Sequence, residues 1–208
     1  MAKQKHKPRR KSGIMSRSDI PLAVRLRMEQ EAKINANRET AARVVLYSYS
    51  IAMHELEHIG YKRIIGFARH YKKLEDEFYE DPEVGMEHVK ERMASHGMEI
   101  SGEWFRAPDM GYTVRQQEVA DNTMQASQVA CIVAAVAMND EFGFGAERQM
   151  RIRTMVEELS KEYSEKGMKP LLEKMEKIGF HIQGDRAIHF TDEDGNIVTA
   201  KRALEAIK

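Results

Sequence analysis

The chain of 208 residues contains one cysteine, one tryptophan and five prolines. A single cysteine excludes an intramolecular disulfide framework and suits a reducing compartment. No run approaches the roughly 18 apolar residues that a membrane-spanning helix needs, and the basic start lacks the apolar segment that follows in a secretory signal. Patterns for a nucleotide loop, a nucleophile elbow or a catalytic triad are missing too. These absences describe a soluble cytoplasmic protein.

Net charge is also lacking, with 33 Lys+Arg against 33 Asp+Glu. The balance is uneven along the chain. Residues 1–28 hold nine basic side chains and one acidic, so a cationic leader precedes an anionic body. Charged residues make up 32% and apolar residues 42%, enough apolar material for a buried core.

What is present repeats. A shift of 85 positions places Ala41, Val44, Ala52, Met53, Gly60, Arg63, Leu74 and Glu77 on Ala126, Val129, Ala137, Met138, Gly145, Arg148, Leu159 and Glu162 without a gap. After a three-residue deletion, Met86, Met93, Gly97 and Gly102 fall on Met168, Met175, Gly179 and Gly184. Self-similarity at this spacing predicts a tandem duplication. The expected organisation is a basic tail over 1–20, a first helical repeat over 21–111 and a second over 112–208.

Each repeat reads as a long helix (21–58 and 112–142), a second helix and a shorter third. Val129 to Met138 is apolar almost all round, which requires burial on several sides, and its alanines would let the helix of Ala41 to Met53 come close. Cys131 lies inside this run and reads as core. Glycines at 60, 143 and 145 end the long helices, and so short a connection predicts an antiparallel hairpin with the second helix. The second helices carry Ile64, Phe67, Tyr71, Leu74 and Phe78 on one stripe, matched by Ile152, Val156, Leu159 and Tyr163. Near the end, 186–190 and 196–199 flank Asp192-Glu193-Asp194-Gly195, a turn signal for a two-stranded ribbon. The fold class is therefore mainly α: two three-helix units sharing one core, with a short β-hairpin near the C-terminus.

Four groups of residues could carry function. His54-Glu55-Leu56-Glu57-His58 is a literal H-E-x-x-H, in which histidines at i and i+4 of a helix can ligate zinc and Glu55 can act as general base. Against a zinc hydrolase stand the charged Glu57, the glycine that follows His58, and Asn139, Asp140 and Gly143 at the matching second-repeat positions. Arg63 and Arg148, each one turn after a glycine, could grip a partner's carboxylate or phosphate, or tie down the free carbonyls of the preceding helix. Trp104 and Phe105 lie between the repeats as candidate partner anchors. Lys3, Lys5, Lys7, Arg9, Arg10 and Lys11 form a block dense enough to bind nucleic acid by counterion release. Asp192 to Asn196 lacks EF-hand spacing, so calcium is not expected.

The runs Ala137-Met138-Asn139-Asp140-Glu141-Phe142-Gly143-Phe144-Gly145-Ala146-Glu147-Arg148 and Ile59-Gly60-Tyr61-Lys62-Arg63 resemble an F-G-x-G-x-x-R-like helix-hairpin motif. It occurs in functionally uncharacterised small helical proteins of prophages and other mobile elements in Gram-positive bacteria. The resemblance implies a binding role on nucleic acid or on host defence machinery, including anti-CRISPR-type inhibition of a nuclease complex. The resulting expectation is a non-enzymatic binding protein with no cofactor, a protein or nucleoprotein partner, and nucleic-acid contact through the tail. A zinc hydrolase built on His54, Glu55 and His58, or an oligomerisation module, is the alternative.

Overall fold

The structure, a computed structural model, describes residues 21–95, 110–191 and 197–198, and for residues 82–84, 86, 89 and 93 the backbone alone. Six helices run in order: α1 (Leu22–Glu57), α2 (Tyr61–Glu80), α3 (Pro82–Ser95), α4 (Val114–Phe142), α5 (Ala146–Lys166) and α6 (Lys169–Ile178). They are followed by β1 (His181–Gln183), β2 (Arg186–Ile188), β3 (Phe190–Thr191) and β4 (Ile197–Val198). The mainly helical class expected from periodicity is what forms, and no helix among the described residues is long and apolar enough to cross a membrane.

Local chemistry sets the ends of the long helices. The Pro21 carbonyl accepts from the Val24 and Arg25 amides at 3.0 and 3.1 Å, starting α1. Thr113 opens α4 with a capping box, exchanging bonds with Gln116 in both directions. At the other end both helices stop on a left-handed residue, His58 at φ 54° and Gly143 at φ 65°.

α1 and α4 pack along each other and run parallel. Gln30 donates to Glu118 and Arg38 Nη2 to Asn122 Oδ1, so the partners advance in the same direction on both helices. Ile51, Ala52 and Met53 on α1 and Val136, Ala137 and Met138 on α4 are all fully or almost fully buried. Alanine at 52 and 137 suits this, because a side chain no larger than a methyl lets neighbouring backbones come near.

The short α1–α2 connection turns the chain back as expected, but α2 sits mainly on α4 rather than on α1. α3 also lies on α4, while α5 and α6 lie on α1. Two parallel helices leave a groove along their seam, and a helix returning along that groove touches both. Each half therefore covers the other's long helix. One apolar cluster includes Val44 to Met53, Ile64, Phe67 and Leu74 together with Val129 to Met138, Ile152, Leu159, Leu171 and Met175. α2 and α3 meet closely: a Cβ on Gly85 would stand 2.7 Å from the Phe78 Cα, so only glycine fits there.

The lengths differ in a way that matters for function. α1 has 36 residues and α2 20; at 1.5 Å rise per residue they span about 54 and 30 Å. The far end of α2 comes back as far as Arg38, whose charge acts on Tyr79. Beyond that level Ile34 is the one buried residue of α1.

The C-terminal ribbon departs from expectation. Residues 186–190 do not form one strand: Arg186–Ile188 pairs back with His181–Gln183, and Phe190–Thr191 pairs with Ile197–Val198. The cause is a second turn signal, Gly184-Asp185. Gly184 alone takes a positive φ, 63°, as the first residue of a II′ hairpin loop does. The Asp192 to Gly195 turn lies outside the described residues. The ribbon is anchored to the helices where Tyr47 Oη accepts the Ala187 amide at 2.7 Å and Tyr61 Oη donates to the Val198 carbonyl at 3.2 Å.

Candidate functional site

The hairpin tips hold most of the residues singled out in the sequence. α1 ends at Glu57, so His58 leaves the helix in the left-handed conformation and no longer occupies the helical i+4 position that H-E-x-x-H zinc ligation uses. His54 Nδ1 donates to the Ile59 carbonyl at 2.9 Å and closes the helix end. Glu57, 12% exposed, receives Arg151 Nη2 at 2.9 Å and has Arg148 Nε at 3.9 Å. Glu55 faces solvent. Among the described residues no three His, Cys, Asp or Glu side chains gather to hold a metal. The geometry here is that of a helix cap.

Arg63 and Arg148 do not tie down the carbonyls of the preceding helix. His54 holds the carbonyl of Ile59 in the connection and, 85 positions on, Asn139 and Gln149 hold that of Phe144 at 3.3 and 2.8 Å, while Gln149 also donates to the Ala135 carbonyl of α4 at 3.3 Å. The arginines instead cross between the halves. The Arg63 guanidinium lies 4.8 Å from the centre of the Phe142 ring; Arg148 lies 5.5 Å from that of Phe144 and beside Glu57. Position 57 corresponds to 142, so the two contacts are reciprocal: each arginine meets the last residue of the other half's long helix. These are correspondences of place; the duplication itself is a reading of the sequence. A third brace joins α2, α3 and α4, where Asp140 Oδ2 receives His70 Nε2 at 2.9 Å and Arg92 Nη2 at 2.6 Å.

Cys131 is half-buried against the core, and burial pushes its thiol up to about 11, with nearby Arg153 and a bond to Tyr49 only partly offsetting this. A thiol so held is protonated at neutral pH and is a poor nucleophile. Trp104, Phe105 and the basic block from Lys3 to Lys11 lie outside the described residues.

The residues that sequence reasoning missed sit at the opposite end. The outer stretches of α1 and α4, beyond the reach of α2, form the walls of an open groove of about 870 Å³. Leu26, Gln30, Lys33 and Asn37 line one wall, a spacing of one helix face; Tyr112, Arg115, Val119, Thr123 and Ser127 help to line the other. Met110, 67% exposed, and Met124 add to an apolar lining. Leu22, Val24, Met28 and Val114 are exposed close by, making this end the most apolar uncovered part of the described surface. The available signal was the mismatch between the 36-residue helix and its 20-residue cover.

The uncompensated charge lining the groove is positive: the outer stretches also carry Glu29, Glu31, Glu118 and Asp121, but each of these is already engaged. The parallel arrangement puts the N-termini of α1 and α4, the positive ends of their dipoles, side by side, and neither helix has an acid in its first turn. Lys33 and Arg115, on opposite walls, have no ion pair or hydrogen bond among the described residues. Glu29, the only acid lining the groove among the described residues, is already engaged. Comparison with protein-family models, curated proteins and solved structures gives no match for this chain.

Proposed function

We propose that this chain is a non-enzymatic binding protein of the mobile-element kind, which engages a protein or nucleoprotein partner, with a host nuclease complex as the leading instance. In this reading the body docks through the open end of the α1/α4 pair, and the basic block from Lys3 to Lys11 contacts nucleic acid. The observation that carries it is the apolar groove, uncovered among the described residues, whereas His54, Arg63 and Arg148 are occupied in bracing the fold. The tail and the groove can act on one partner. Lys11 and Pro21 are ten residues apart, which at full extension is at most about 35 Å, so the block begins within one helix length of the groove.

The test is binding of labelled single- and double-stranded oligonucleotides across a salt series. If all six cations neutralise phosphates, log affinity falls against log salt with a slope of about −4 to −5. Alanine at Lys3, Lys5, Lys7, Arg9, Arg10 and Lys11 together abolishes that binding; binding that survives the change removes the tail from the reading. Affinity isolation from the native host, with and without nuclease, then separates a protein partner from a nucleoprotein.

A further inference from the structure

We infer that the groove between the outer parts of α1 and α4 takes an acidic amphipathic helix of a partner protein, about three turns long; this rests on the binding-protein reading above and names the chemistry of its partner. The lining of α1 runs from Leu26 to Asn37 along one face, a rise of about 17 Å. The facing stripe on α4 runs parallel to it. Two parallel helices with an open seam present ridges into which a third helix packs, and the inner parts of this same pair are covered in that way by α2 and by α5.

Charge selects among the possible occupants. Lys33 and Arg115 lie on opposite walls of the groove and have no ion pair or hydrogen bond among the described residues, and Arg115 stands in the first turn of α4. An occupant with an apolar stripe flanked by Asp or Glu satisfies both cations and both dipoles. The chain's own leader, with seven basic residues and one acidic in 1–20, brings the wrong sign. A second copy docked groove to groove brings Lys33 and Arg115 against their own kind. Nucleic acid fits the charge but not the lining of Leu26, Val119 and Met124.

The experiment uses the full-length protein and two capped 15-residue helical peptides of identical apolar spacing, with Leu on one stripe, one carrying Glu beside the stripe and the other Lys. The Glu peptide is expected to bind at least about ten-fold more tightly at low salt, with the gap narrowing as salt rises. Lys33→Glu with Arg115→Glu reverses the preference, and Leu26→Asp removes binding of both peptides. Circular dichroism and the thermal midpoint of each variant establish that it is folded, as these positions are exposed or only lightly covered. Equal affinity for the two peptides, or a preference untouched by the charge reversal, overturns the inference. So does a concentration-dependent dimer that Leu26→Asp dissolves, which makes a second copy the occupant. So does Glu-peptide binding that appears only after alanine replaces the basic block, which makes the leader the occupant. If the peptides fail while salt-dependent oligonucleotide binding persists, the groove assignment falls and the binding-protein reading stands; if both fail, both fall.

Discussion

The inner and outer ends of the α1/α4 pair are built from the same two helices and share no physical logic. At the inner end, residues 44–53 are buried almost without interruption and most of 126–138 with them, second helices cover both seams, and arginines cross between the halves. At the outer end the same helices carry Leu22, Val24, Leu26 and Val114 into solvent, and among the described residues nothing closes their seam. The difference comes from length alone: α2 and α5 are too short to follow the long helices to their beginnings. A helix pair that runs on past its cover gains little from its own core, because an isolated helical stretch is marginal in water. Among the described residues, the outer end therefore holds the largest group of apolar side chains that the internal fold does not explain.

This contrast is open to direct attack. Phe67 is fully buried and packs on Phe142 and Tyr71; Phe67→Ala is expected to cost about 3–5 kcal/mol by urea denaturation, the range for a large core side chain cut to alanine. Leu26→Ala in the same assay is expected to stay within about 0.5 kcal/mol. A loss at Leu26 approaching that at Phe67 shows that something covers the outer end in solution.

A smaller effect separates the two helix ends of the inner region. Both α1 and α4 stop on a left-handed residue, but one is His58 and the other Gly143. A side chain with a Cβ is strained in that conformation and glycine is not. His58→Gly is expected to raise stability by about 1 kcal/mol, and Gly143→His to lower it by a similar amount. No gain at His58 means that its side chain contributes something its exposure does not reveal. The zinc alternative is tested by the same variant: purified wild-type protein that holds stoichiometric zinc, lost in His58→Gly, restores it.

Much of the inner end was legible in the sequence because its signals are local and periodic. The stripe of Ile64, Phe67, Tyr71, Leu74 and Phe78 and the apolar run from Val129 to Met138 each state a helix and its buried face. Gly143 marks the stop of α4 as expected, but α1 stops on His58, two residues before Gly60, which instead caps the start of α2. What the sequence did not disclose was pairing between elements: that α2 seats on α4, that Arg63 meets Phe142, that Arg186 to Ile188 folds back on β1. Such contacts depend on the parallel register of α1 and α4, which periodicity within one helix does not encode. The groove was hidden for the same reason. Leu26, Lys33, Arg115 and Val119 are unremarkable on their own helices and become a surface only when the two are set side by side. The H-E-x-x-H pattern misled in the opposite way, since its meaning depends on whether the helix continues through His58, and it does not.

The smallest effect concerns the reciprocal braces, where corresponding positions use different interactions. Arg148 and Arg151 reach the carboxylate of Glu57, while Arg63 reaches the ring of Phe142. Arg148 and Arg151 are more than half exposed, so their attraction to Glu57 is largely screened. Glu57→Gln is expected to cost roughly 0.5 kcal/mol at low ionic strength and nearly nothing in 1 M salt, where the Debye length falls to about 3 Å. Phe142→Leu removes a ring that also packs on Phe67 and Phe144, and its cost should change little across the same salt series. Denaturation of both variants at two salt concentrations decides the matter: a salt-independent loss at Glu57 means that the carboxylate works through the order it imposes on α5 rather than through its charge.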